Sequence, residues 1–229
     1  MGVKKKKEES TKLVSKIFIV CVCVLFVGLM ILSGMGTSWL SVFNSVKAGD
    51  TVVIDYTLFD AAGKPVVTSD KSTYDKGVAQ GSGVFGSNQI TIAANKTIEK
   101  PIYTIPIYPS SGGKVQQLAL FSSEYNAISS GIVGMKVNEQ KKIPISSNIS
   151  MLQSLSVEQL GTMKIDLNNI SLGDNFYGLV QANTEEFANN TTANSYLRIG
   201  EVAKKSQEGI EVDFSYPAAD VRVVSINKG

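Results

Sequence analysis

The chain has 229 residues and a formal net charge of +2, with 22 lysine and arginine residues against 20 aspartate and glutamate residues. This balance gives no sign of nucleic-acid binding, so no nucleic acid is expected among the partners. The chain contains no histidine, so a transition-metal site and a histidine-based catalytic site are not expected either. No cofactor or metal is predicted.

The N-terminal segment predicts a membrane helix. Residues 1–16 contain six lysines and two glutamates, a net charge of +4, and no charged residue lies between Lys16 and Lys47. About 20 apolar residues cross the ~30 Å core of a bilayer, so Ile17–Phe43 is predicted to be one transmembrane helix. Because lysines near a span stay inside, residues 1–16 are predicted to be cytoplasmic and the C-terminal part extracellular, at the cell membrane. A cleaved signal peptide is the alternative, although its apolar part is usually only ~7–15 residues long.

The cysteines and the glycosylation sequons are divided between the two parts of the chain. Cys21 and Cys23 lie in the apolar stretch, where two residues of separation on a helix point them about 200° apart, so they cannot pair with each other. No disulfide is predicted in the C-terminal part, which instead carries five N-x-S/T sequons and is predicted to be a glycoprotein. The glycosylation candidates are Asn95, Asn148, Asn169, Asn189 and Asn190.

The first half of the C-terminal part predicts short strands. Alternating apolar residues predict a strand over Thr51–Phe59, and a turn leads to a return strand over Lys64–Val67, which makes a hairpin. Residues 69–86 lack a periodic pattern and are rich in glycine and serine, so they are predicted to be a loop. Further strands are predicted over Ile90–Ile92, Ile102–Tyr108 and Val115–Phe121.

The second half adds short helices and more strands. Ser123 can cap a helix that contains Tyr125, Ile128 and Ile132 and ends near Gly134. A capping-box pattern follows at Ser156–Gln159. Strands are predicted over Lys142–Ile145, Met163–Leu167, Tyr196–Val202, Ile210–Phe214 and Val221–Ile226. Many short strands and few short helices indicate an α+β or mainly β domain.

Two blocks of sequence resemble the FKBP-type peptidyl-prolyl isomerases. The first block comprises Val46–Thr57, Gly63 and Gly134–Lys141, in the order and roughly the spacing of that family. The second block, Val202 followed by Ile210–Ala219, is similar to the segment V-x-V-D-F-N-H-P-L-A. In the SlyD-like and archaeal long members that segment leads back from an insert-in-flap domain.

The resemblance implies an α+β fold in which an FKBP-like antiparallel half-barrel sheet surrounds a short helix. With the N-terminal transmembrane helix, the chain would then contain an FKBP-like domain over residues 46–145 plus 214–229. A small β-rich insert-in-flap-like domain would occupy residues 146–213. Residues 71–117 form an insertion with no counterpart in the family pattern, and they either cover the pocket or rebuild it with their own aromatic residues.

The resemblance also implies a pocket in which an X-Pro peptide bond isomerises. The amide must cross a barrier of ~18–20 kcal/mol, and an apolar pocket helps by binding the twisted amide better than either planar form. Tyr56 and Ile128 match positions of this pocket and are the candidate catalytic residues. Each also has a plainer interpretation as a residue of the hydrophobic core.

Other pocket positions depart from the family pattern. The family's Phe-Asp pair falls on Val66 and Val67. Glu124–Ile128 replaces the Val-Ile-x-Gly segment, and Ser146–Asn148 replaces the Ala-Tyr-Gly of the flap. The resemblance therefore predicts an isomerase pocket that is weakened or lost.

Three functions remain open at this point. The chain is predicted to be a membrane-anchored extracellular folding factor, with prolyl isomerase or chaperone activity towards unfolded or proline-containing polypeptides. A second hypothesis is a non-catalytic holdase whose inserted domain binds polypeptides. A third is a catalytically inactive FKBP-like accessory subunit of a membrane protein complex.

Overall fold

The computed structural model of the protein describes residues 18–30, 44–146, 151–182, 187 and 195–227. The chain forms two compact units, Met1–Phe43 and Asn44–Gly229. In the first unit the structure describes a single helix, and the second unit contains the described strands.

Helix α1 covers residues 18–30 of the first unit. Within the described ranges, no helix combines the length and the apolar character that a membrane crossing requires. The fold-class prediction of a transmembrane helix over Ile17–Phe43 is therefore wrong for the residues that can be described; residue 17 and residues 31–43 lie outside them. The membrane and extracellular locations stay predictions.

The second unit is rich in strands. Its strands are β1 Thr51–Phe59, β2 Pro65–Thr68, β3 Phe85–Ser87, β4 Ile90–Ala93, β5 Ile102–Pro109, β6 Gln116–Phe121, β7 Gln140–Pro144, β8 Leu152–Ser156, β9 Asn175–Gln181, β10 Ser195–Ser206, β11 Gly209–Asp213 and β12 Ala218–Asn227. Its α-helices are α2 Lys71–Ala79, α3 Ser122–Gly131 and α4 Val157–Thr162, and a 3-10 helix covers Leu167–Asn169.

The strands belong to one sheet, which curls into a half-barrel. The order along the sheet is β7-β12-β1-β2-β3-β5-β6-β10-β11-β8, while β4 pairs with β1 and β9 pairs with β10. Strand β1 runs antiparallel to β12 over its whole length, from Thr51 opposite Asn227 to Phe59 opposite Ala218. The first and last long strands of the unit are therefore neighbours in the sheet.

The first hydrophobic core is built around β1. The alternate residues Val52, Ile54, Tyr56 and Leu58 are buried in it, as the alternation in the sequence predicts. Helix α3 places Tyr125 and Ile128 in the same core, and Ile132, which caps the C-terminus of the helix, lies there too. The hydroxyl of Ser129 donates a hydrogen bond to the carbonyl oxygen of Ala93 at 2.7 Å and so holds α3 against β4.

A second hydrophobic core lies on the other side of β6. Leu118 and Leu120 belong to the first core, whereas Ala119 and Phe121 belong to the second. Since successive side chains of a strand point to opposite faces, β6 is a wall between the two cores, which explains its continuous apolar run. Most of the second core comes from residues 151–214. The predicted boundaries of an insert-in-flap-like domain over residues 146–213 stay a prediction.

The structure differs from the sequence prediction in two local segments. The predicted loop over residues 69–86 contains helix α2, whose N-terminus is capped by Asp70: its carboxylate accepts a hydrogen bond from the Thr73 backbone N–H at 2.8 Å. The predicted strand over Met163–Leu167 is instead a turn, in which Lys164 has a φ of 60°. That left-handed conformation is incompatible with an extended strand.

Candidate functional site

The two pocket candidates lie in the first core. Tyr56 comes from the middle of β1 and Ile128 from the buried face of α3, and both belong to one cluster of packed side chains. Tyr56 is 1% exposed and Ile128 is 0% exposed. Neither side chain is therefore accessible to a peptide in this structure. Their assignment as catalytic residues stays a prediction.

The hydroxyl of Tyr56 is used inside the protein. It donates a hydrogen bond to Ser87 Oγ at 2.7 Å, and Ser87 Oγ donates in turn to the carbonyl oxygen of Pro106 at 3.0 Å. Burial raises the pKa of Tyr56 far above its usual value, although the hydrogen bond with Ser87 lowers it in part. The hydroxyl is therefore neutral at physiological pH, and its single proton is already donated to Ser87.

Side chains of the insertion over residues 71–117 pack in the same core as Tyr56. The insertion contributes Phe85, Ile105 and Ile107 to the first core. Tyr103 from the same segment packs against Tyr125 of α3, with their ring centroids 4.9 Å apart and the rings tilted by 44°. Of the two alternatives that the sequence leaves open, covering the pocket or rebuilding it, these contacts favour covering.

The other motif positions add no polar group to this site. Val66 and Val67, at the positions of the family's Phe-Asp pair, are 3% and 0% exposed and belong to the first core. The carboxylate nearest to Tyr56 in sequence, Asp55, instead accepts a hydrogen bond from Arg222 Nη2 at 2.6 Å. Ser146 is exposed, and Asn148 lies outside the described residues.

One surface cleft includes Tyr56 in its lining. It has a volume of about 260 Å³ and is mainly polar, and Asp55, Asp70, Lys76 and Arg222 line it as well. A larger one, of about 480 Å³, lies along β8 and β11, with a lining that includes Ser154, Leu155, Gln159, Lys204 and Glu211. Neither contains Ile128, so neither is a pocket between the two candidate catalytic residues.

A buried ion pair at the junction of the two cores was not predicted. Arg198 of β10 and Glu124 of α3 are 0% and 1% exposed. Arg198 donates hydrogen bonds to both carboxylate oxygens of Glu124, with Nη1 2.8 Å from Oε2. Nη1 also donates to the carbonyl oxygen of Ala119 at 2.8 Å, while Nε and Nη2 donate to that of Phe214 at 3.0 and 2.8 Å. All five N–H groups of the guanidinium are thus paired.

The surroundings of Arg198 keep its guanidinium charged. Burial lowers the pKa of Arg198, but the Glu124 carboxylate and Tyr216 raise it by more, so the net shift is upward. The guanidinium carbon also lies 4.5 Å from the ring centroid of Phe121 and 3.7 Å from that of Tyr216. Sequence reasoning treated Glu124 only as a departure from the pocket motif. The signal in the sequence that could have indicated a buried ion pair is the arginine inside the apolar segment Tyr196–Ile199.

The described glycosylation candidates are at the surface. Asn95 lies in a turn with a φ of 53°, and Asn169 ends the 3-10 helix; both residues are exposed. Asn148, Asn189 and Asn190 lie outside the described residues. In the ranges that the structure describes, no group of three or more acidic, cysteine or histidine side chains is placed to hold a metal ion.

Comparison of the sequence with family models and with curated proteins finds no match. No protein-family model matches the chain, and no curated protein is significantly similar to it in sequence. The resemblance to the FKBP-type isomerases accordingly stays a hypothesis that rests on the two blocks of sequence.

Proposed function

We propose that residues 44–227 form an FKBP-like polypeptide-binding domain of a protein-folding factor with little or no prolyl isomerase activity. It would hold unfolded or proline-containing polypeptides rather than isomerise them. The observation that carries this proposal is the burial of Tyr56, which is 1% exposed and donates its hydroxyl proton to Ser87.

The chemistry of isomerisation explains why this burial matters. An isomerase lowers the barrier only if the X-Pro amide reaches an apolar concavity that binds its twisted form better than its planar forms. In this protein the core that contains Tyr56 also contains Phe85 of the insertion, and Tyr103 of the insertion packs against it. Peptide access to Tyr56 or Ile128 would require the first core to open.

Features of the sheet support the FKBP-like part of the proposal. The sheet is curled, and the short helix α3 packs against it. Strand β1 pairs with β12, which is the last strand of the described chain. The resemblance implies the same arrangement of a half-barrel sheet around a short helix.

The holding function is supported by exposed apolar side chains in the segment that contributes Met151, Leu160 and Phe176 to the second core. Five such residues lie between positions 151 and 182: Leu152 at 47% exposure, Val157 at 46%, Met163 at 48%, Leu172 at 64% and Tyr177 at 54%. Exposed apolar side chains that can adapt to different partners are typical of surfaces that bind varied polypeptides.

Suppression of aggregation of a chemically denatured client by the full chain tests this proposal. The double variant Leu152→Ser/Met163→Ser is expected to suppress aggregation less than the wild type, because it removes two apolar contacts without disturbing a buried residue. Val78→Ser/Val115→Ser is the matched control, since those valines are 43% and 51% exposed but lie outside residues 151–182. Equal activity of both double variants and the wild type would refute the proposed binding surface.

An inactive accessory subunit of a membrane protein complex is the second candidate function. The burial of Tyr56 and Ile128 favours it equally, because a subunit that only docks needs no accessible catalytic pocket. This function predicts that the wild-type chain neither suppresses aggregation nor accelerates isomerisation. The same aggregation assay therefore separates the two candidates.

A further inference from the structure

One row of residues crosses three neighbouring strands on the face of the sheet opposite to the first core. Thr68 of β2 pairs with Gly86 of β3, and Gly86 pairs with Tyr108 of β5. Because successive side chains of a strand point to opposite faces, this row is turned away from Phe85, which belongs to the first core. A ligand on this row would therefore be separated by the sheet from the two candidate catalytic residues.

Gly86 makes room in this row for an aromatic residue of α2. A Cβ at Gly86 would lie 3.1 Å from Cε2 of Tyr74, closer than an ordinary van der Waals contact, so the absence of a side chain lets this ring rest on the strand. Tyr108, which is 38% exposed, lies beside Gly86. The two tyrosines line one mainly apolar cleft of about 260 Å³. Pockets for drug-sized ligands measure about 300–1,000 Å³, so the cleft suits one or two side chains of a polypeptide.

The cleft offers a hydrogen-bond donor at its aromatic wall. Asn88 Nδ2 donates to the Tyr108 hydroxyl at 3.2 Å, which leaves the proton of that hydroxyl for another acceptor. Two other hydroxyls of the lining are used inside the protein: Thr68 Oγ1 shares a hydrogen bond of 2.7 Å with Thr57 Oγ1, and Ser87 Oγ donates to a backbone carbonyl oxygen at 3.0 Å. A ligand that fits should therefore bring an apolar side chain and a carbonyl acceptor.

The charged groups at the cleft are already paired. Lys71 Nζ donates to both carboxylate oxygens of Asp75, at 3.0 and 2.7 Å. The Asp70 carboxylate accepts a hydrogen bond from the Thr73 backbone N–H at 2.8 Å and lies 3.9 Å from Arg222 Nη2. The cleft is thus complementary to an uncharged segment, since a charged one would find no free partner among these groups.

We propose that this cleft binds polyproline II segments of other polypeptides, with a proline ring packed between Tyr74 and Tyr108. Proline has no backbone N–H, and a polyproline II helix has no internal hydrogen bonds, so its carbonyl oxygens are free to accept from the Tyr108 hydroxyl. Aromatic-lined grooves bind such segments because the helix is already formed and little entropy is lost on ordering it. No peptide bond isomerises in this mode. The site goes beyond the proposed holding surface at residues 151–182 and does not rest on it.

Fluorescence anisotropy of a labelled decaproline peptide, titrated with the full chain, tests this site. The wild type is expected to bind the peptide saturably, and Tyr108→Ser should weaken binding by about tenfold, as the loss of a central aromatic contact commonly does. Tyr108→Phe keeps the ring and should weaken binding by a smaller factor, because only the hydroxyl is lost. Tyr177→Ser is the matched control: this tyrosine of β9 is 54% exposed but does not line the cleft, so the variant should bind like the wild type.

A second peptide and a second variant separate this site from other apolar surfaces. A decapeptide in which alternate prolines are replaced by glycine should bind much more weakly, because it loses the preformed polyproline II helix. Leu152→Ser/Met163→Ser, which alters the proposed holding surface, should bind decaproline like the wild type. Failure of the aggregation assay would therefore leave this site intact, and failure here would leave the holding function intact.

Three results would overturn the proposal. One is a wild-type chain that shows no saturable binding of decaproline. Another is Tyr108→Ser binding as tightly as the wild type; if Tyr177→Ser were then the weaker binder, proline segments would use the exposed residues between positions 151 and 182 instead. The third is equal binding of decaproline and the glycine-substituted peptide, which would indicate non-specific adhesion to apolar surface such as helix α1.

Discussion

The two cores of the second unit differ in what they leave at the surface. The first, around Tyr56, is covered by β1, α3 and the insertion, and its two candidate catalytic residues are at most 1% exposed. The second is flanked by apolar residues with exposures from 46% for Val157 to 64% for Leu172. Sequence resemblance points to the first core, whereas five exposed apolar residues lie between positions 151 and 182, in the segment that contributes to the second.

The largest expected effect comes from the ion pair between the cores. Arg198→Met should lower the free energy of unfolding by about 3–5 kcal/mol, because it leaves the buried Glu124 carboxylate without its cation. Urea unfolding followed by far-ultraviolet circular dichroism measures this loss. The double variant Arg198→Met/Glu124→Gln removes both charges and should recover part of it. Equal stability of the single and double variants would show that the charge pairing is unimportant.

A smaller loss is expected within the first core. Ile128→Ala should lower the free energy of unfolding by about 2–5 kcal/mol, because it opens a cavity at a residue that is fully buried. Leu152→Ala, at an apolar residue that is 47% exposed, should change it by no more than ~0.5 kcal/mol. Similar losses in both variants would contradict the contrast between a closed core and an open surface. Urea unfolding of the pair provides the comparison.

The effect of alkaline pH should be smaller and should come from the buried tyrosines. Burial raises the pKa of Tyr216 to about 12, although Arg198 opposes this in part. Between pH 10 and about 12 the unfolded chain releases this proton and the folded chain keeps it, so the free energy of unfolding should fall as the pH rises. Tyr216→Phe should reduce the slope over this range. An unchanged slope would exclude Tyr216 as its source.

The smallest effect is expected for Tyr56→Phe. It removes the hydrogen bond to Ser87 and should lower the free energy of unfolding by about 1 kcal/mol, the typical net contribution of one hydrogen bond. Tyr56→Leu, which also changes the packed ring, is the comparison and should cost more. A gain in stability for Tyr56→Phe would mean that this hydrogen bond is poorly formed in solution.

Local patterns in the sequence were sufficient to predict part of this fold. The alternation of Val52, Ile54 and Tyr56 predicted β1 and its buried face, and the spacing of Tyr125 and Ile128 predicted α3; both elements are confirmed. Helix α2 escaped prediction because it lacks an apolar stripe and contains Gly77. A Cβ at that position would lie 2.4 Å from Val84 Cγ1, so the helix depends on close packing that the sequence pattern does not show.

The candidate site was harder to predict because it depends on contacts distant in sequence. Tyr56 was found from a motif, but its partner Ser87 lies 31 residues away in a segment without a family counterpart. Glu124 and Arg198 are 74 residues apart, so neither residue alone indicates a pair. The transmembrane prediction came from the apolar composition of Ile17–Phe43, of which the structure describes residues 18–30.

The most direct test of the closed first core is the rate of X-Pro isomerisation in a short peptide, measured by NMR exchange in the presence of the full chain. The account predicts a rate indistinguishable from the uncatalysed one, for the wild type and for Tyr56→Phe alike. A rate well above the uncatalysed one that falls in Tyr56→Phe would contradict it, because a peptide would then reach Tyr56.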